Sequence, residues 1–133
     1  MDRRDFIKML LQGGVSAPLI PAVVWAAPAR KIIVQQSPIA GFQYYDGEQV
    51  FSELWVDTPL LLIREQDNTY DKNAVAVHFK QYKLGFVPKA DNTAIAQMLD
   101  RGEYLSAKVV EITQSRNPWE RVRFEVVLDG YFL

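Results

Sequence analysis

Between Lys72 and Lys89 the chain carries four lysines, Lys72, Lys80, Lys83 and Lys89, and no acid. His78, Phe79, Tyr82 and Phe86 are interleaved with them. Cations track a phosphate backbone, and an exposed ring offers a nucleic-acid base a stacking surface worth about 1–3 kcal/mol. The same residue types also fit a plain structural account, in which lysines guard strand edges while the rings fill a core. Tyr44-Tyr45 is a second aromatic pair open to both readings.

Catalysis has less to work with. Glu65, Asp67 and Asp71 are close in sequence, and general acid–base chemistry uses pairs of carboxylates. Yet the stretch from Asp67 to Asn73 is dense in turn formers, whose Asp and Asn side chains bond nearby backbone amides. His78 is the single histidine, and it alternates with Ala76 and Lys80 on what reads as a strand with a solvated face. No Gly-rich loop followed by Lys-Ser or Lys-Thr is present to cradle phosphate, so ATP hydrolysis has no seat. There are no cysteines, which removes thiolate nucleophiles, disulfides and cysteine-based zinc or iron–sulfur sites. A lone histidine likewise excludes a multi-histidine metal site. No catalytic residue, metal or cofactor is assigned.

The elements that position these residues follow from periodicity and punctuation. A chain of 133 residues has room for one domain with a real core. Lys31 to Val34 is rich in β-branched residues and reads as a strand running on towards Ile39. Gly41-Phe-Gln-Tyr-Tyr45 leads into a turn at Asp46-Gly47. Leu60 to Arg64 is a continuous apolar run, consistent with a strand buried on both faces. Ala74 to Lys80, centred on Val75 and Val77, and Leu84 to Val87, ended by Pro88, are two further strands. Asp91 or Asn92 can cap a helix whose Ile95, Met98 and Leu99 share one face and which Gly102 stops. Tyr104 to Thr113 and Arg121 to Leu128 are long strands joined through Ser115-Arg-Asn-Pro118. The expectation is a mainly β protein: a small OB-like or SH3-like barrel of five to six strands with one short helix.

Residues 1–29 read differently. A charged head, Met1 to Lys8, precedes a mildly apolar run from Met9 to Trp25, and Ala26, Ala27 and Ala29 supply small residues that a signal peptidase accepts. Gly13, Gly14, Pro18 and Pro21 break the run, so no stable membrane span is expected. Arg3-Arg4-Asp5-Phe6-Ile7-Lys8 resembles a twin-arginine export signal, with Asp2 where Ser or Thr is commoner. The division expected is therefore an export signal over 1–29 and a folded domain over 30–133. The protein would then be periplasmic or envelope-located, or cytoplasmic if the leader does not function. Removing 1–29 leaves 12 bases against 14 acids, a formal charge of −2. A domain coating nucleic acid through bulk charge would be basic, so any such site must be local.

Four segments carry a family resemblance. Arg64-Glu-Gln-Asp-Asn-Thr-Tyr70-Asp71-Lys72-Asn73-Ala-Val-Ala-Val77, followed by Leu84-Gly85-Phe86-Val87-Pro88-Lys89, resembles the signature of the HIRAN domain. Gly41-Phe-Gln-Tyr44-Tyr45 is similar to that family's early Gly-x-x-Tyr segment, and Ile95 to Gly102 to its helix and following glycine. The likeness spans about Ile33 to Ile112. It implies an OB-like barrel that captures the 3′ end of single-stranded DNA, as in the domains attached to DNA-repair helicases and translocases. On that resemblance Tyr44 and Tyr70 stack on or flank the terminal bases, Tyr45 adds to the aromatic surface, and Asp71 accepts a hydrogen bond from the terminal 3′ hydroxyl. Lys72 and Lys89 meet phosphate, Phe86 lines the site, and Asn73 buttresses the turn. Gln43 stands where the DNA-end binders carry a basic residue, and Thr69 replaces a usual proline.

The function expected is thus a non-catalytic nucleic-acid-binding module with single-stranded DNA as partner. The alternative is an exported envelope domain that reuses the fold for another ligand or a protein partner. A hydrolase by family association is the lesser alternative, without a nucleotide-binding loop to support it.

Overall fold

The computed structural model describes residues 31–129. The expected export signal over 1–29 lies outside the described residues. Six strands alternate with short helical segments: β1 (Lys31–Pro38), β2 (Pro59–Arg64), β3 (Val75–Phe79), β4 (Tyr82–Phe86), β5 (Leu105–Ile112) and β6 (Val122–Asp129). Helix α1 covers Gly47–Val50 and α2 covers Thr93–Asp100. Single 3-10 turns stand at Phe42–Tyr44, Phe51–Glu53, Lys89–Asp91 and Pro118–Glu120. The expected mainly β architecture is observed, though Asp46-Gly47 opens the four-residue α1 rather than a bare turn.

All strand pairs are antiparallel, in the spatial order β1-β6-β5-β2-β3-β4. The sheet curls until Ala40, just beyond β1, bridges Phe86 on β4. Two backbone bonds make that bridge, Ala40 N–H to the Phe86 carbonyl at 2.8 Å and Phe86 N–H to the Ala40 carbonyl at 2.9 Å. The ladder is therefore open, with one bridge joining its two ends, a form compatible with an OB-like fold.

Alternation sorts the strands' side chains. Val75, Val77, Leu84, Val109, Phe124 and Val126 point into the core with Ile39, Phe42 and Ile95, all essentially inaccessible to water. Burial of each such side chain stabilises the fold by about 1.5–3 kcal/mol. β2 departs from the expectation of burial on both faces: Leu60 is buried, whereas Leu61 and Ile63 are exposed. A continuous apolar run has no period by which to tell its two faces apart.

Lys80 and Gln81 form the two-residue loop between β3 and β4, where Phe79 pairs with Tyr82. Gly85 beyond it has φ +149°, and a Cβ there would come 2.3 Å from the Ala40 carbonyl oxygen. Glycine is thus what lets the two ends of the sheet meet. α2 ends where Gly102 N–H bonds the Leu99 carbonyl at 3.0 Å and Glu103 N–H the Met98 carbonyl at 3.0 Å. With Gly102 at φ +80° this is a Schellman stop. Asn92 stands at the head of α2 as expected, but its side chain makes no capping bond and points elsewhere. No helix among the described residues is long and apolar enough to cross a membrane.

Candidate functional site

Three segments converge on one cavity of about 290 Å³, and each is fixed by its own hydrogen bonds. The first runs from Ala40 to Asp46. Besides the bridge at Phe86, Asp46 N–H bonds the Lys83 carbonyl at 2.9 Å, and Lys83 N–H bonds Asp46 Oδ2 at 3.2 Å. Clamped to β4 at both ends, this segment holds out Tyr44, 77% exposed, and Tyr45, 41% exposed.

The second is the turn from Glu65 to Ala74. Asn68 Oδ1 accepts from Tyr70 N–H at 2.9 Å and Asp71 N–H at 3.0 Å, the Asx geometry for which the residue type is suited. Arg64 closes the base of the turn, donating to the Lys72 carbonyl at 2.7 Å and the Ala74 carbonyl at 3.1 Å. Tyr70 projects from it, 89% exposed. Asp71 is partly buried and doubly held: Asn73 N–H donates to Oδ1 at 2.9 Å and Asn92 Nδ2 to Oδ2 at 2.7 Å. A carboxylate so fixed still has lone pairs free to accept from a ligand hydroxyl.

The third segment follows β4. Phe86 and Val87 line the cavity, and Lys89 reaches over to the Tyr70 carbonyl, with Nζ at 3.5 Å. Phe86 meets Tyr45 edge to face, ring centroids 5.6 Å apart. Tyr44, Tyr45, Tyr70, Asp71, Phe86 and Lys89 therefore share one lining. Lys72 does not line it; the exposed residue instead gives its carbonyl to Arg64.

The lysine-rich stretch divides in the structure. Phe79 is buried and Tyr82 packs against the core, so neither offers a free stacking face. Lys83 is tied to Glu65, Nζ to Oε2 at 2.9 Å, and lies over the Phe86 and Tyr45 rings at 4.2 and 4.8 Å. It braces the aromatic wall with a cation–π contact rather than standing free for phosphate. Burial pushes the Glu65 carboxyl up, but hydrogen bonds from Lys83 and Asn68 and the charges of Lys83 and His78 outweigh it and hold the group below its ordinary 4.5. His78, opposite Lys83 in the sheet, is partly buried, and burial followed by the Lys83 charge lowers it from 6.5, against the pull of Glu65 and Asp46.

Sequence reasoning missed the buttress. Asn92 is 1% exposed and its amide is spent on Asp71; read along the chain, the residue type signals only a helix cap. Among the described residues no group of three or more His, Asp or Glu is placed to hold a metal ion.

The HIRAN domain family matches residues 32–129 of the chain. A crystal structure of a protein from Lactobacillus plantarum superposes with TM-score 0.67 at 25% identity, covering 77% of this chain and 98% of that one. The HIRAN domain of human HLTF superposes with TM-score 0.58 at 19% identity, covering 75% of this chain and 79% of that one, a likeness of fold. No curated protein matches.

Proposed function

We propose, since this chain belongs to the HIRAN domain family, that it is a non-catalytic nucleic-acid-binding module which takes the free 3′ end of single-stranded DNA into the Tyr70–Asp71 cavity. One observation carries the reading: a carboxylate fixed by two donors stands among three exposed tyrosines in a single concavity. Tyrosine faces suit bases of any sequence, at about 1–3 kcal/mol per stacked base. Asp71 suits a hydroxyl donor, and a charged acceptor strengthens that bond. Lys89 is the cavity's cation for phosphate, with Lys72 exposed farther along the turn. A terminal phosphate would meet the Asp71 carboxylate with like charge, so the site favours a free hydroxyl.

The test is fluorescence anisotropy of the purified protein with single-stranded oligonucleotides ending in a 3′ hydroxyl or a 3′ phosphate. Moderate salt is needed, because low-salt binding reports only lysines. Preference for the hydroxyl, lost in Asp71→Ala, is the expected result. Equal affinity for both ends sinks the end-binding reading, and no binding to either moves the fold to another ligand.

The leader belongs to the same proposal: Arg3-Arg4 directs the chain to the cell envelope by the twin-arginine route. Fractionation of cells expressing Arg3→Lys/Arg4→Lys should show the protein retained in the cytoplasm; an unchanged distribution rules export by this signal out.

A further inference from the structure

The two donors that hold the Asp71 carboxylate are divided between its oxygens. Asn73 N–H meets Oδ1 at 2.9 Å, and Asn92 Nδ2 meets Oδ2 at 2.7 Å. Among the described residues no other group donates to this carboxylate. Lys89, the cation of the same cavity, leans on the Tyr70 carbonyl instead, 3.5 Å away. An ionised carboxylate offers about four acceptor positions, two on each oxygen. With one spent on each side, Oδ1 and Oδ2 both keep a position for a ligand.

A single hydroxyl fills one of these positions and leaves the other oxygen short. The shortfall matters once the site is occupied. The cavity, about 290 Å³, is at the small end of the range for ligand sites, and Tyr44, Tyr45, Tyr70 and Phe86 put rings around it. A nucleoside seated among them displaces water from the carboxylate, and an acceptor left dry costs free energy. Two adjacent hydroxyls on one sugar satisfy both oxygens together, and ribose carries such a pair at its 2′ and 3′ carbons. Deoxyribose has one donor to give. Acceptance of a ribose hydroxyl by a carboxylate is the device that dinucleotide-binding folds use, and the 2′ hydroxyl is the group by which a protein tells RNA from DNA. Resting on the reading of this cavity as a 3′-end site, we propose that its preferred occupant is a terminal ribonucleoside, whose 2′ and 3′ hydroxyls each donate to one oxygen of Asp71. A DNA end then binds through the 3′ hydroxyl alone, and more weakly.

Fluorescence anisotropy of the purified protein at moderate salt tests this with oligonucleotides of one DNA sequence that differ only in the sugar of the 3′ nucleotide: deoxy, ribo, 2′-fluoro and 2′-O-methyl. The ribo end should bind about tenfold tighter than the deoxy end, the gain of one further bond to a charged acceptor. A 2′-fluoro sugar keeps the ribose-like pucker but has no donor, so it should bind as the deoxy end does, and 2′-O-methyl no better. In Asp71→Asn, with a single carbonyl oxygen, ribo and deoxy ends should bind alike. Equal affinity of ribo and deoxy ends for the wild-type protein, or a 2′-fluoro end as tight as the ribo end, overturns the inference, and neither result needs the variant to fold. Adenosine 5′-monophosphate as competitor separates the sources of the diol: displacement of the ribo-ended strand at equal concentration assigns the site to free ribonucleotides, and its failure assigns it to strand ends. The end-binding reading is judged apart, by whether the deoxy strand prefers a 3′ hydroxyl to a 3′ phosphate. That preference can hold while ribo and deoxy ends bind equally, which sinks the ribose assignment alone.

Discussion

Arg64, the last residue of β2, and Asp100, the last of α2, are 36 positions apart and joined by two hydrogen bonds, Nε to Oδ1 at 3.1 Å and Nη2 to Oδ2 at 3.3 Å. The same guanidinium bonds the carbonyls of Lys72 and Ala74. Gln66 Nε2 adds a third donor to Asp100 at 2.9 Å, and this bond, together with Arg64 and against the opposing effect of desolvation, lowers the Asp100 pKa. One side chain thus ties the turn carrying Tyr70 and Asp71 to the helix whose first residue follows Asn92. Both walls of Asp71's pocket are set by that link.

Arg64→Ala should therefore loosen the turn. The exposed ion pair contributes little by itself, but two hydrogen bonds to carbonyls are lost, the one to Lys72 and one of the two that Ala74 accepts, and about 1–3 kcal/mol of stability should go with them. Arg64→Lys cannot restore the fork, because an ammonium is a single point of donation. Urea denaturation checks the stability, and hydrogen exchange at Tyr70 and Asp71 checks the place. An unchanged midpoint and unchanged exchange would show that the turn holds itself without Arg64.

Gly85→Ala tests the bridge that joins the ends of the sheet. A Cβ would lie 2.3 Å from the Ala40 carbonyl oxygen and 2.7 Å from Ile39 Cγ2, at a φ of +149°. Backbone atoms cannot swing aside as a flexible side chain would, so the Ala40–Phe86 bonds must lengthen. Strain of this kind costs about 1–3 kcal/mol. The segment bearing Tyr44 and Tyr45 should detach before the core unfolds, and DNA affinity should drop more than the melting temperature implies. If the variant melts and binds like wild type, the bridge does not position the tyrosines.

Much of this was legible in the residues, and the failures have physical causes. Strand positions and the helix at Thr93–Asp100 follow from periodicity and from Gly102, which local chemistry fixes. The outward face of β2 was hidden because Leu60-Leu-Leu-Ile63 is apolar at every position, and only the neighbouring strands decide which side meets water. The partner of Lys83 was hidden for a similar reason. Glu65 is 18 residues away, and nothing local distinguishes a lysine that seeks phosphate from one that braces a ring. The residue types of the Tyr70–Asp71 turn carried a family likeness, so the lining was readable. Its support by Asn92, 21 residues on, exists only in three dimensions.

Acid should weaken the fold in two stages. His78 has its pKa lowered from 6.5 by burial and by Lys83, so the unfolded chain takes up a proton first as pH drops below 6.5. Stability is then full above pH 6.5 and falls towards the folded-state pKa. Glu65, lowered from 4.5, has the same sign: its contribution is present above pH 4.5 and is lost as pH falls through the folded-state value. Denaturation midpoints should therefore decline from pH 7.5 to 5.5 in wild type, and His78→Gln should flatten that interval and diminish the later Glu65 step, to which the charge of His78 contributes. A His78→Gln profile parallel to wild type would place the first step in another group.

Asn92 offers the sharpest test of what Asp71 is for. Its Nδ2 lies 2.7 Å from Asp71 Oδ2, and the residue is 1% exposed, so a change there reaches solvent and ligand only through Asp71. Asn92→Asp keeps the shape but replaces the donor with a second carboxylate. At neutral pH the two negative charges repel, and Asp71 should turn away from its place in the cavity. Two carboxylates at hydrogen-bond distance share a proton as pH falls, because both cannot ionise cheaply. The protonated partner then becomes a donor and restores the original geometry. DNA-end affinity of Asn92→Asp should accordingly be about tenfold below wild type at pH 7.5, the effect of one charge-assisted bond, and should recover relative to wild type towards pH 5. Anisotropy titrations across that range decide the matter. A variant-to-wild-type ratio that stays flat with pH means that Asp71 buttresses the turn and does not receive the ligand.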